Sequence, residues 1–586
     1  MSTPKGRVTP TESALDFRPA DFPTLPEALD YAAGGETGIA FHDSRGKLAE
    51  LLPYAILRAQ ARRLAARLVA AGLAPGERAG ILAESDGDFV RAFMACQYAG
   101  LVPAPLPLPT AFGGRGAYVQ HLRRMLVAAG ASAAFAPAAL RDWLGEAADG
   151  LGIRLCGTLG DLGDLDDLAE DAALPRVGSD DLAYLQFSSG STRFPVGVAV
   201  TQAALMANMQ AIARHGLGMG PADRCTSWLP MYHDMGLIGF LLTPLATQRS
   251  LDLMPTSGFA RRPLTWLQLI SDNGGTLSFS PNFGYELCLR RARTAAPQGL
   301  DLSSWRGAGI GGDMIRAAVL DEFAETFAPF GFRREALVPS YGMAETTLAI
   351  SFHDLGRAPV VDAVDLDRLE RMGEVAPPDR GAGRARSFVG CGRVLPGHEL
   401  EVRDERGRPL RDLQVGRIHV RGPSLMREYF GRPLDTQAAL SGDGWLDTGD
   451  VGYLRDGMLT VTGRAKDLII VNGRNIWPQD LEWSVEAEVG ALRTGDAAAF
   501  SAESADGRDE AVVMLVQCRS ADPAVRQALR DGVAAVLRAR HGIEGEVVLV
   551  PHNSLPHTSS GKLSRSRARR MLLDGHLADT VTAGAA

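Results

Sequence analysis

Five short stretches carry residue types that could do chemistry together. Ser188, Ser189, Gly190, Ser191 and Thr192 stand in a row between two apolar runs, Leu182 to Phe187 and Val196 to Val200. A loop of hydroxyls and glycine between two strands can turn its N–H groups and hydroxyls onto one anion. No Gly-Lys-Ser/Thr closes it, so it is not a Walker A loop. His233 stands in Pro230-Met-Tyr-His-Asp-Met-Gly236, next to Asp234, whose carboxylate can cap a helix. In Ser340-Tyr-Gly-Met-Ala-Glu-Thr346, Tyr341 offers a flat face for a base, Glu345 a hard oxygen for Mg²⁺ and Thr346 a hydroxyl for a phosphate. Asp447 and Asp450 are acceptor-only and can each take a pair of hydroxyls, as a ribose offers. Lys562 closes the run Thr558-Ser-Ser-Gly-Lys562. Read singly, each stretch also fits a plainer role: a turn, a structural histidine, a core tyrosine, an Asp-Gly hairpin, a solvated lysine.

Elements able to hold these stretches alternate along the chain. Apolar residues at helical spacing predict a helix over Leu51 to Leu73 and another over Phe89 to Tyr98. Arg78 to Ala83 reads as a strand and Leu101 to Leu106 as an apolar turn. A helix is expected over Ala203 to Arg214 and again near Asp234. Strands end at Gly307 to Asp313 and at Val338 to Thr347, the second followed by an expected helix, and Trp445 to Asp450 reads as a tight turn. Ligands bind at such C-terminal strand ends in open α/β sheets. The charged joint Gly463-Arg-Ala-Lys-Asp467 separates an N-terminal domain (1–465) from a C-terminal one (466–586) that reads as small and α+β. The fold class is α/β, a large multi-layer N-terminal domain plus this smaller one.

At 586 residues the chain exceeds a single core. Its 46% hydrophobic and 22% charged residues are those of an ordinary globular protein. A net charge of −8 argues against a nucleic-acid partner. No apolar run is long enough to span a bilayer, and the polar start has no apolar signal core, so a cytoplasmic location is expected. The six scattered cysteines lack Cys-x-x-Cys pairing and read as reduced thiols.

In this order, the five stretches resemble the motif series of the acyl-adenylate-forming superfamily, which includes acyl-CoA synthetases, luciferases and the adenylation domains of peptide synthetases. The resemblance covers nearly the whole chain. Pro230 to Gly236, Asn282-Phe-Gly-Tyr-Glu-Leu-Cys288, Asp301-Leu-Ser-Ser-Trp305 and Gly473-Arg-Asn-Ile-Trp-Pro-Gln-Asp480 resemble, within it, the fatty acyl-AMP ligases. So does a long connection over about 352–388, with a helical piece at Leu366 to Met372. In those ligases an insertion here goes with poor use of free CoA, by limiting how the small domain docks. A decorative loop is the plainer alternative, since long loops cost little.

The resemblance implies a reaction and a set of roles. ATP and a fatty acid would give acyl-adenylate and pyrophosphate, and the acyl group would pass to the phosphopantetheine thiol of an acyl carrier protein or of a carrier domain in a polyketide or peptide synthase. Ser188, Ser189, Gly190, Ser191 and Thr192 would hold the β- and γ-phosphates. Gly312 and Asp313 would border the adenine, with Ser340, Tyr341, Gly342 and Met343 beside it and Tyr341 stacked on it. Asp450 would bind the ribose, with Arg464 nearby. Glu345 would hold Mg²⁺ and Thr346 would contact the α-phosphate. His233 would line the junction with the fatty carboxylate. Lys562, carried by a mobile small domain hinged at Lys466, would bridge both reactants. Trp228, Met231, Met235, Ile238, Phe240 and Phe283 are candidates to read chain length, although core packing explains each equally well. Two positions depart from the usual pattern: Val196 stands where the phosphate loop often carries a base, leaving Arg193 as its nearest cation, and Asp313 replaces a more usual Glu-Pro ending. The rival activities are fatty acyl-CoA synthesis and nucleotide binding without catalysis.

Overall fold

The computed structural model describes residues 15–109, 114–163, 173–188, 196–295, 297–378, 384–471, 474–503, 510–557 and 562–577. Its spine is a 14-stranded mixed sheet. One half is parallel, running through Gly38–His42, Ser250–Leu253, Arg224–Ser227, Leu277–Ser280, Gly307–Ile310 and Leu337–Gly342. These strands are buried on both faces and read as short apolar or small-residue runs. From Leu337–Gly342 the sheet turns antiparallel through Ala349–Phe352, Ala385–Val394, Met458–Arg464 and Leu446–Arg455. The parallel-to-antiparallel change therefore falls on the Tyr341 stretch.

A second, parallel sheet contains Val102–Leu106, Arg78–Leu82, Ala131–Phe135 and Leu155–Gly157. Leu101 to Leu106 is thus a strand and not an apolar turn. Pro103 and Pro105 lack N–H donors, and the strand sits at the sheet edge, where one side of the ladder needs none. A third sheet pairs Leu182–Ser188 with Val196–Thr201 as an antiparallel hairpin, with Glu428–Tyr429 on its outer side.

Three further expectations are corrected. The helix expected from Leu51 begins at Tyr54, because Leu48–Pro53 pairs with Gly38–His42 and takes those residues into the sheet. No helix follows Val338 to Thr347: a single turn, Ala344–Thr346, leads straight into the strand Ala349–Phe352, and Thr347 adopts a left-handed φ of 68°. Asp447 to Asp450 lies within the strand Leu446–Arg455, where a register shift between Val451 and Gly452 is absorbed. The long connection does carry a helix at Leu366–Met372.

Residues beyond 468 build clusters of their own. Ile469, Leu481, Val485, Met514, Val533 and Leu549 pack together, and Phe500, Leu515, Leu555 and Ala568 pack on the other face of the sheet Ala497–Glu503, Glu510–Cys518, Gly545–Pro551. Each of the larger of these side chains, fully buried, contributes about 1.5–3 kcal/mol. All six cysteines are unpaired thiols, and all but Cys156 are buried. Among the described residues no helix is long and apolar enough to cross a membrane.

Candidate active site

One cavity of about 790 Å³ opens where the two large-sheet halves meet the residues after 462. His233, Gly312, Asp313, Ser340, Tyr341, Gly342, Met343, Glu345, Asp450, Arg464 and Lys562 all line it. They come from strand ends and turns far apart in sequence. Ser189, Gly190, Ser191 and Thr192 lie outside the described residues, as does Arg193. Ser188 closes the strand that leads to the cavity edge, and Phe187 and Val196 line it.

At the polar end, Asp450 is fixed from two sides. The Tyr341 hydroxyl donates to its Oδ2 at 2.7 Å, and Arg464, its cross-strand partner, places Nε 3.1 Å from Oδ1. A carboxylate has about four lone-pair sites, so acceptor capacity remains for hydroxyls. The same bond fixes the Tyr341 ring at its far end. Asp447 pairs with Arg417 at 2.7 Å and also lines the cavity. Gly342 is required by close approach: a Cβ there would lie 1.8 Å from the Leu348 carbonyl oxygen.

Glu345 receives the Tyr429 hydroxyl at 2.8 Å on Oε1. Burial raises its carboxyl above the ordinary range, with the Tyr429 bond acting the other way. Tyr429 belongs to the short strand paired with Val198 and Ala199, so it ties the strand leaving the hydroxyl-rich loop to Glu345. Nothing in the sequence near Tyr429 announces that role; 84 positions separate the two residues. Thr346 is fully buried and its hydroxyl donates to the Met343 carbonyl at 2.9 Å, so it braces the turn that carries Glu345.

His233 Nδ1 lies 2.8 Å from Asp234 Oδ1, and Asp234 also accepts from the Met235 N–H at 2.7 Å as a helix cap. Burial opposes ionisation of Asp234, but His233 and the Lys562 ammonium outweigh it and hold the carboxyl below its usual range. Lys562 is positioned by its neighbours: three residues on, Arg565 pairs with Glu482 at 2.6 Å and with Asp467 at 3.4 Å. Those carboxylates raise the Arg565 pKa despite burial. Lys466 lines the same cavity, and burial lowers its pKa.

The other arm of the cavity is apolar. Ile212, Leu217, Phe240, Phe279, Leu348, Phe352, Val389 and Cys391 line it. Of the residues expected to read chain length, Met235 and Phe240 are among the lining. Trp228, Met231 and Ile238 are not; they are fully packed, with Trp228 stacked 3.8 Å from Phe259, and Phe283 is partly exposed. Sequence patterning marked them as apolar without showing which faced the cavity.

This arrangement has relatives. A model of the AMP-binding enzymes matches residues 37–430. The chain belongs to that family. A Caulobacter vibrioides protein, provisionally named an acyl-CoA synthetase, is 53% identical over 98% of this chain and 99% of its own length. The medium-chain-fatty-acid–[acyl-carrier-protein] ligase JamA of Moorena producens is 34% identical over 95% of this chain and 96% of its own. A solved structure from work on fatty acyl-adenylate ligases of E. coli and L. pneumophila superimposes with a TM-score of 0.90, at 44% identity, covering 96% of this chain and all of that one. This AMP-binding enzyme is therefore of the ligase class and has the adenylate-forming fold, as the motif series implied.

Proposed function

We propose that the enzyme activates a fatty acid with ATP to an acyl-adenylate and pyrophosphate, and then passes the acyl group to the phosphopantetheine thiol of a carrier protein. The observation that carries this reading is the two-armed cavity. A polar end bearing Tyr341, Asp450 and Glu345 is continuous with an apolar arm, and His233 and Lys562 line the same space. An amphiphile with a carboxylate head and a nucleotide triphosphate fit those two chemistries.

Attack of a carboxylate on an α-phosphate brings two anions together, and the catalyst must neutralise charge more than move protons. A carboxylate is ionised at neutral pH, so no general base is needed. Lys562 supplies a cation at the junction. Asp234 lies against His233 and feels the Lys562 charge. The hydroxyl-rich stretch Ser188 to Thr192 would hold the β- and γ-phosphates, Gly312 and Asp313 the adenine edge, and Asp450 with Arg464 the ribose; Thr346, buried and bonded to the Met343 carbonyl, does not line the cavity and braces the Glu345 turn instead of contacting the α-phosphate.

Glu345 fits a magnesium ion. It is a cavity-lining carboxylate with one oxygen bonded to Tyr429 and acceptor capacity left. Among the described residues no group of three or more His, Cys, Asp and Glu could bind a metal by itself, and Mg²⁺ commonly takes one carboxylate plus substrate phosphates. When bound, the ion supplies positive charge to the phosphates.

Carrier transfer is supported by how the long connection meets the C-terminal segment. Glu370, fully buried on the helix Leu366–Met372, receives Arg474 at 2.6 Å and Arg384 from its own connection. Arg386 forms a buried ion pair with Asp480 and lies over the Trp483 ring at 5.2 Å. A reorientation of residues 466–586 about Lys466 would have to separate these pairs, so the clamp restrains it. A carrier protein adds a protein–protein contact, absent with CoA, that can offset this restraint. The second reading, fatty acyl-CoA synthesis, is favoured by the name of the Caulobacter relative.

The test is pyrophosphate release and acyl-AMP formation across a panel of fatty acids. Release that depends strictly on the fatty acid is expected; release without one would refute the reading.

A further inference from the structure

Residues 424–430 form a strap between two parts of the site. On one side the strap is tied to the turn that carries Glu345. The Thr347 hydroxyl donates to the Ser424 carbonyl at 2.8 Å, and the Met426 N–H donates to the Glu345 carbonyl at 2.8 Å. The Tyr429 hydroxyl completes this side with its 2.8 Å bond to Glu345 Oε1. On the other side the strap ladders with Val196–Thr201, the strand that follows the hydroxyl-rich stretch. There the Arg427 N–H donates to the Ala199 carbonyl and the Phe430 N–H to the Gly197 carbonyl, each at 2.8 Å.

Of these five contacts, the Tyr429 hydroxyl's alone reaches a carboxylate, and both of its partners line the cavity. Burial and the adjacent Glu345 charge raise the Tyr429 pKa well above its ordinary value, so the phenol keeps its proton and donates. The backbone of Tyr429 is anchored as well. Its N–H donates to Thr436 Oγ1 at 3.0 Å, and its carbonyl accepts from the Arg432 N–H at 2.9 Å. A carboxylate on a rotatable stem is thus met by a donor that cannot move with it. One oxygen held this way leaves the other for a small cation that demands near-octahedral geometry and takes only one or two carboxylates.

We infer that Tyr429 is a positioning residue for the metal carboxylate: it holds Glu345 Oε1 so that the second oxygen is presented to Mg²⁺ in one orientation. Because the same strap is laddered to the strand leaving the hydroxyl-rich stretch, it also keeps Glu345 in register with the chain that grips the phosphates. The inference rests on the reading of the cavity as an ATP site with Mg²⁺ at Glu345. Tyr429→Phe keeps the ring and the backbone ladder and removes only the donor, which frees the carboxylate to rotate.

The experiment measures the dissociation constant of ATP by calorimetry, with excess Mg²⁺ and with EDTA. It uses the wild type, Tyr429→Phe, Glu345→Ala and the double variant. Tyr429→Phe should weaken ATP binding about tenfold with Mg²⁺, the scale of one hydrogen bond to a charged group, and leave it unchanged with EDTA. On the Glu345→Ala background the same substitution should have no further effect, since a residue acting through Glu345 has nothing left to act on. Equal loss in both arms, no loss in either, or a further loss on the Glu345→Ala background would overturn the assignment of Tyr429. A wild type that binds no ATP would instead overturn the ATP-site reading. One that binds ATP equally in both arms would overturn the metal reading of Glu345.

Discussion

On the wall of the cavity built before the charged joint, each functional group is held by partners within that wall. Asp450 is gripped by Tyr341 and Arg464, and Glu345 by Tyr429. On the wall built after it, Lys562 sits in a segment whose seat depends on ion pairs that cross between the two: Arg474 to Glu370, Asp480 to Arg386, Glu486 to Arg316. In the proposed reading one wall is the nucleotide cradle, and the other is a set of groups brought to it by docking. Substitutions in the first should change affinity, whereas those in the second should change turnover.

The largest effect should come from the delivered wall. Lys562→Ala should lower acyl-AMP formation about 10²–10³-fold, by analogy with losing one transition-state donor, with the KM for ATP close to that of the parent. A large rise in KM with kcat preserved would place Lys562 in the cradle instead. Next, Asp450→Asn should raise the KM for ATP about tenfold, since a hydrogen bond to a charged group contributes about 1.5–3 kcal/mol. Steady-state kinetics with ATP varied reads this directly, and an unchanged KM would break the comparison.

A smaller effect is expected in the apolar arm. A Cβ on Gly239 would already lie 3.3 Å from Leu348 Cδ2. Gly239→Leu should therefore shift preference to shorter acids, with each excluded methylene costing about 0.8 kcal/mol and the KM for ATP unchanged. Competition between acids of different length, read by mass spectrometry of the acyl-AMP products, checks it.

The smallest effect concerns the seat itself. Burial lifts Glu486 from 4.5 to about 7, with Arg316 and the N–H groups of Gly495 and Ala497 opposing the rise and Glu482 adding to it. The folded protein keeps a proton that the unfolded chain loses. This contribution to stability is therefore full below about pH 4.5 and lost as the pH rises to about 7. Glu486→Gln should flatten the Tm profile across that window; a profile parallel to the parent's would show that Glu486 does not titrate there.

How much of this was legible in the sequence follows the same division. The cradle residues sit in compact motifs whose chemistry is written in neighbouring types: a tyrosine four residues before a glutamate, an aspartate in a Leu-Asp-Thr-Gly-Asp run. The alternation of strands and helices showed the α/β class. Non-local pairing was not legible. Tyr429 reaches Glu345 through a two-residue strand that carries no periodic signal, and the Leu48–Pro53 strand exists only because Gly38–His42 lies beside it. Trp228 and Phe240 look alike as apolar residues, and only packing separates a core side chain from a cavity wall.

The most direct measurement of the central claim is mass spectrometry of the products when the enzyme receives ATP, a fatty acid, and equal amounts of free CoA and a phosphopantetheinylated carrier protein. The account predicts acyl-AMP and acyl-carrier with little acyl-CoA. Abundant acyl-CoA, formed as readily as acyl-carrier, would contradict it.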